Sequence, residues 1–191
     1  MSWIRELFNY LLNWAIDLYI YVLYLRLIFL AFNVDLSQEH QLNMIKYTDP
    51  LVNPLRKIMP AKHNISLAIA CAALLLKMSA IIVSSIIGTG TIPHPIGLTM
   101  LGAVGLISLS LKLLIFAIIF VGLASIFKPE LLQSILGSIV NRCVAPILKL
   151  FQGIIPPMGG FEVSPVLAIL TIHIMNYILA NPITSLIKNL I

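Results

Sequence analysis

The chain has 191 residues, 60% of them hydrophobic and 10% charged, with a mean hydropathy of +1.02; an ordinary soluble domain carries about 25% charged residues. That composition excludes a soluble globular fold and describes an integral membrane protein, with room for four crossings of about 20 apolar residues each. Twelve Lys and Arg against seven Asp and Glu leave a net charge of +5, too scattered for a nucleic-acid surface, while Cys71 and Cys143 lack the paired spacing of a disulfide framework or metal cluster.

The first apolar run covers about residues 8–32. It is longer than a secretory signal, carries Asn13 and Asp17, and has no small-residue cleavage site behind it, so it reads as a retained helix. Residues 33–66 form a long loop with Lys46, Arg56, Lys57 and Lys62. The second crossing covers about 67–88, where Ala68, Ala72, Ala80, Ser84 and Gly88 recur every fourth residue apart from Leu76. Such a stripe of small residues lets another helix approach closely, within the chain or in a second copy. Glycines and prolines between residues 88 and 97 turn the chain back. The third crossing covers about 101–127, a second long loop 128–162 holds Lys128, Arg142 and Lys149, and the fourth and most polar crossing covers about 163–179. Seven basic residues thus lie in the two long loops, against Arg5 and Lys188 on the opposite side. Basic loops are retained on the cytoplasmic side, which predicts cytoplasmic long loops and outward termini. Arg26, near the cytoplasmic end of its helix, is placed to snorkel.

Sliding the chain on itself by about 96 residues reveals a duplication. Residues 50–60 lie over 146–156: Pro50 over Pro146, Leu51 over Ile147, Val52 over Leu148, Leu55 over Phe151, Ile58 over Ile154 and Pro60 over Pro156. The expected architecture is therefore all-α, four transmembrane helices in two parallel helix–loop–helix repeats, residues 1–96 and 97–191. Within the second loop Leu131, Leu132, Ile135, Leu136, Ile139, Val140, Cys143, Val144, Ile147 and Leu148 share one helical face, predicting an amphipathic helix in the cytoplasmic interface. Met44, Ile45, Thr48, Leu51, Val52 and Leu55 make a weaker copy in the first. Pro60 and Pro156, unable to continue a helix, should turn each chain segment into the membrane.

Ionisable groups inside an apolar helix cost at least about 2.5–3.5 kcal/mol at its centre. Asp17 and Lys112 are 95 residues apart, Lys77 and His173 96, so the duplication places them in matched layers. The economical expectation is a buried pair of Asp17 with Lys112 or Lys77, with Asn13, Asn176 and His173 adding hydrogen bonds. Such a cluster serves either as polar glue between helices or as an ion or proton path.

The segments Tyr19–Arg26, Thr48–Pro60, Val140–Pro146 and Ile154–Gly160 resemble the bacterial YggT integral membrane proteins, a family that includes the YlmG proteins. The second copy departs from the family's basic motif, with Leu150 where a proline is common and Gln152-Gly153 where a basic pair is common, whereas the first keeps Arg56-Lys57. The resemblance implies a bacterial inner-membrane protein, non-enzymatic, and associated in various members with osmotic stress, envelope organisation or membrane-complex biogenesis.

The sequence contains no GxSxG elbow, HExxH helix, phosphate-binding glycine loop or dinucleotide fingerprint, and no cofactor or metal is expected. Two functions follow from these residues. The first is a membrane scaffold or assembly factor whose cytoplasmic face, through Pro50, Arg56, Lys57, Pro60, Arg142, Pro146, Lys149 and Pro156, meets lipid headgroups or another membrane or cytoplasmic protein. The alternative is a small transporter or channel component, in a homo-oligomer, with Asp17, Lys77, Lys112 and His173 lining a path.

Overall fold

The computed structural model describes residues 2–31, 38–58, 64–88, 90, 93–153 and 164–190, with side chains described for 3–31, 45–57, 65–88, 90, 93–153 and 164–181. These residues form α1 (Ser2–Ala31), α2 (Gln38–Ile58), α3 (Asn64–Gly88), α4 (Pro95–Phe127), a short 3₁₀ turn at Pro129–Gln133, α5 (Ile135–Gln152) and α6 (Ser164–Leu190). Among the described residues five helices, α1, α3, α4, α5 and α6, are long and apolar enough to cross a membrane, α5 the shortest at 18 residues. The protein is an all-α, multi-pass membrane protein.

The helices outrun the apolar segments that announce them. Hydropathy marks the stretch immersed in hydrocarbon, about 30 Å thick, but backbone hydrogen bonding carries a helix onward into the headgroup region. Thus α1 starts at Ser2, α6 continues to Leu190, and α4 starts at Pro95, since proline at the first helical position sacrifices no helical hydrogen bond. The 33 residues of α4 measure about 50 Å.

Helix α2 runs through Pro50 and Pro54. Four residues apart, the two rings share the exposed side of the helix, while Thr48 and Val52 are buried on the other. The N–H groups that proline lacks are therefore missing from the outer side. The buried stripe is narrower than the sequence pattern: Ile45 and Leu51 are exposed, and Leu55 only partly buried. Pro60 and Pro156 lie outside the described residues.

The amphipathic helix expected from residue 131 begins later, at Ile135. Ser134 is extended (φ −63°, ψ 158°) and its side chain accepts the Gly137 N–H at 3.1 Å, an N-cap that starts the helix afresh. Its hydroxyl also donates to the Leu131 carbonyl at 2.6 Å. The 3₁₀ turn lies so close to the first turn of α5 that a Cβ on Gly137 would stand 1.9 Å from the Leu131 carbonyl oxygen. Only glycine permits that approach.

By packing, the chain divides into two compact units, Met1–Leu109 with Pro182–Ile191, and Ser110–Asn181, the division falling within α4. In the first, α1, α2 and α3 pack against one another around Ile20, Leu23, Val52, Ala68, Ile69, Ala72, Ala73 and Leu109. The alanines of α3 let its neighbours come close; Ala68, Ala72 and Ala80 are fully buried within the chain. In the second, α4, α5 and α6 meet around Ile118, Val121, Val144, Leu148, Ala168 and Ile172.

The outer faces are apolar: Trp3, Phe116, Ile126, Val166 and Tyr177 are each more than 60% exposed. Such faces suit hydrocarbon, where backbone groups must be satisfied within the helix. Exposed hydroxyls obey the same rule. Ser79, Thr99, Ser125 and Ser138 each donate to the carbonyl three residues back, at 2.7–2.8 Å.

Candidate functional site

Three polar layers cross the first unit. Nearest the start of α1, the Asn13 amide donates to the Asn9 carbonyl oxygens of backbone and side chain at 2.8 and 3.0 Å and to Ser84 Oγ at 2.8 Å. Ser84 in turn donates to Asn9 Oδ1 at 2.8 Å. One turn further along α1, the Lys77 ammonium donates to Asp17 Oδ1 at 2.5 Å, with 14% and 24% of the two side chains exposed. At this burial a carboxylate and an ammonium each need the other, since either alone faces the full cost of desolvation.

Glycine shapes the path of that lysine. A Cβ on Gly105 would lie 2.9 Å from Lys77 Cε and 3.3 Å from Cγ, so the aliphatic stem runs flat over a gap in α4. On the same face, a Cβ on Gly102 would stand 3.1 Å from Met78 Cγ and 3.2 Å from Leu74 Cδ1, so these α3 side chains also pack against bare backbone. Tyr24 completes the contact by donating from Oη to the Leu106 carbonyl at 2.9 Å.

The third layer joins α1 to α2. Arg26 Nη2 pairs with Asp49 Oδ1 at 2.9 Å while Nη1 donates to the fully buried Thr48 hydroxyl. Tyr19 Oη donates to the Tyr47 carbonyl at 2.7 Å. A planar guanidinium serves two adjacent acceptors at once, which an ammonium cannot do in the same geometry.

The structure thus joins Asp17 to Lys77 and Asn13 to Ser84. Lys112 and His173 are exposed, and Asn176 half-buried, in the second unit. Pro50 within α2 and Arg56 and Lys57 in its last turn are exposed, as are Arg142, Pro146 and Lys149 along α5. Among the described residues, no group of three His, Cys, Asp or Glu could hold a metal ion. The Arg26–Asp49–Thr48 layer was missed by reasoning from sequence, which let Arg26 snorkel. The available signal was the need of an intramembrane arginine for an anion, with Asp49 standing in the first loop.

The chain is similar to the uncharacterized protein PA0392 of Pseudomonas aeruginosa, 27% identical over 178 residues, covering 93% of this chain and 90% of that protein. It is also 27% identical over 169 residues to the uncharacterized protein YggT of Escherichia coli K12, covering 88% and 86% of the two. A 42-residue segment, 22% of this chain and 44% of the relative, is 45% identical to the uncharacterized protein ycf19 of Porphyra purpurea. No solved structure matches. With the pattern of the family described as CCB3/YggT matching residues 6–87 and 100–183, the great majority of its length, the chain belongs to that family.

Proposed function

We propose that this protein is a non-enzymatic scaffold or assembly factor of the bacterial inner membrane, built from two parallel helix–loop–helix copies with cytoplasmic loops and outward termini. The observation that carries the functional part is the pairing of polar groups in the first unit. Asp17 is held by Lys77, Asp49 by Arg26, and Asn9, Asn13 and Ser84 bond one another. These groups fasten α1 to α2 and α3; they are engaged in helix contacts rather than offered to a permeating ion.

The duplication is supported by matching burial at matching positions. Thr48 and Val144, Val52 and Leu148, and Ala72 and Ala168 are buried at an offset of 96, Leu23 and Ile118 at 95. Pro50 and Pro146, also 96 apart, are both exposed inside a helix. In this arrangement α2 and α5 lie along the cytoplasmic interface, and Arg56, Lys57, Arg142 and Lys149 face anionic headgroups or a partner's acidic surface, each worth about 1 kcal/mol near an anionic leaflet. Links to osmotic stress, envelope organisation or membrane-complex biogenesis fit such a role.

The test is ion and proton flux through proteoliposomes holding the purified, folded chain under a potassium or pH gradient. The scaffold reading predicts no flux above that of empty liposomes. Flux that disappears in folded Asp17→Asn or Lys77→Met variants would overturn it in favour of a small transporter or channel component.

A further inference from the structure

The duplicated positions have diverged in an uneven way. Where the first copy has Arg26 and Asp49, the second has Val121 and Ala145, so both charges are gone and the layer is apolar. Where the first has Asp17 and Lys77, the second has Lys112 and His173: the anion is lost and both positions carry basic residues. Neither side chain makes a hydrogen bond or ion pair among the described residues, and both are exposed.

Lys112 occupies the middle of α4, 17 residues from Pro95 and 15 from Phe127, about 25 and 22 Å along the axis. Centred in a hydrocarbon core about 30 Å thick, its backbone lies about 15 Å from either edge, more than twice the reach of a lysine stem, so snorkelling does not bring its ammonium to water. Exposed serines and threonines in these helices bond their own backbone; an ammonium with three donors and a full charge has no such remedy. His173 lies nine residues into α6, about 14 Å from its start. Within the second unit Gly122 faces Pro165, and counting ten residues back along α4 and ten forward along α6 sets Lys112 level with Met175. His173 is two residues away, about 3 Å of rise.

We propose that Lys112 and His173 form a docking site for a transmembrane helix of another protein that carries an aspartate or glutamate at mid-membrane depth. The proposal rests on the scaffold reading and on the duplication described above, and it names the partner's chemistry. Charge complementarity selects the occupant: the ammonium pairs with a carboxylate, and the imidazole donates an N–H to it in either protonation state. A second copy of this chain is a poor source. Of its seven acidic residues, Glu6, Asp17, Asp35, Glu39, Asp49, Glu130 and Glu162, only Asp17 lies near the middle of a crossing, and it is already bound to Lys77. Lipid phosphates lie at the wrong depth.

The site is tested with the full chain in phosphatidylcholine vesicles, by energy transfer to a labelled 21-residue leucine–alanine transmembrane peptide whose central residue is Asp, Asn or Leu. The Asp peptide should associate about tenfold more tightly than the Asn and Leu peptides, Lys112→Leu should erase that preference, and Lys112→Arg should keep it. Equal association of the Asp and Asn peptides, or a preference that survives Lys112→Leu, would overturn the proposal. So would self-association of the native chain that Lys112→Leu dissolves, since the occupant would then be a second copy. Lys112→Leu places an apolar group on an apolar face, so its thermal midpoint should equal or exceed that of the native chain and the comparison is made on folded protein. Ion flux through the native chain overturns the scaffold reading whatever the peptides do; absence of both flux and peptide preference overturns only the docking site.

Discussion

At the scale of single residues, the membrane makes every charge answer for itself. Asp17 and Lys77 come together because helices α1 and α3 pack closely enough for one lysine to bridge them, and because Gly105 leaves room for its stem. Arg26 shows a second solution, dividing its fork between Thr48 and Asp49. Arg26→Lys keeps the charge but loses one of those two bonds, so it should lower stability by about 1 kcal/mol, read as a reduced thermal midpoint in detergent micelles. An unchanged midpoint would mean that the fork adds nothing beyond its charge. The ionisable positions themselves were legible in the sequence, because an apolar run displays them. Which lysine faces Asp17 was not, since Lys77 and Lys112 both lie within reach along the axis and only the rotation of α3 and α4 separates them.

At the scale of helices, composition located every long apolar segment but not its ends. The start of α5 is the instructive case. The apolar periodicity continues without a break from Leu131 to Leu148, yet the helix begins only at Ile135, because Ser134 caps it and Gly137 lets the preceding turn fold back upon it. Ser134 three residues before Gly137 was a local signal that the hydrophobic pattern masked. Gly137→Ala should cost about 1–3 kcal/mol, since the contact it creates is with backbone rather than with a movable side chain. Circular dichroism melting would show it, and a variant as stable as the native chain would mean that the turn does not rest on α5. The prolines of α2 teach the converse: they interrupt the sequence pattern, yet a helix accommodates both where their missing donors fall on its exposed side.

At the scale of the molecule, two packed units share a plan of buried positions while differing in polar content. The first fastens its helices with ion pairs and amides; the second packs Ile118, Val121, Val144, Leu148, Ala168 and Ile172 together and leaves Lys112 and His173 exposed. The matching proline and apolar positions of residues 50–60 and 146–156 were visible in the chain because they recur at a fixed spacing. The pairing of charges was not, because it depends on contacts between helices far apart in sequence. The central claim is that the Asp17–Lys77 layer is structural. The most direct test reverses it: the thermal stability of Asp17→Lys/Lys77→Asp is compared with that of Asp17→Asn and Lys77→Met, each of which should cost about 2–3 kcal/mol by stranding a charge. The account predicts that the reversed pair recovers most of that loss and passes no ions in liposomes. A reversed pair as unstable as the single variants, or one that folds and alters an ion flux, would contradict it.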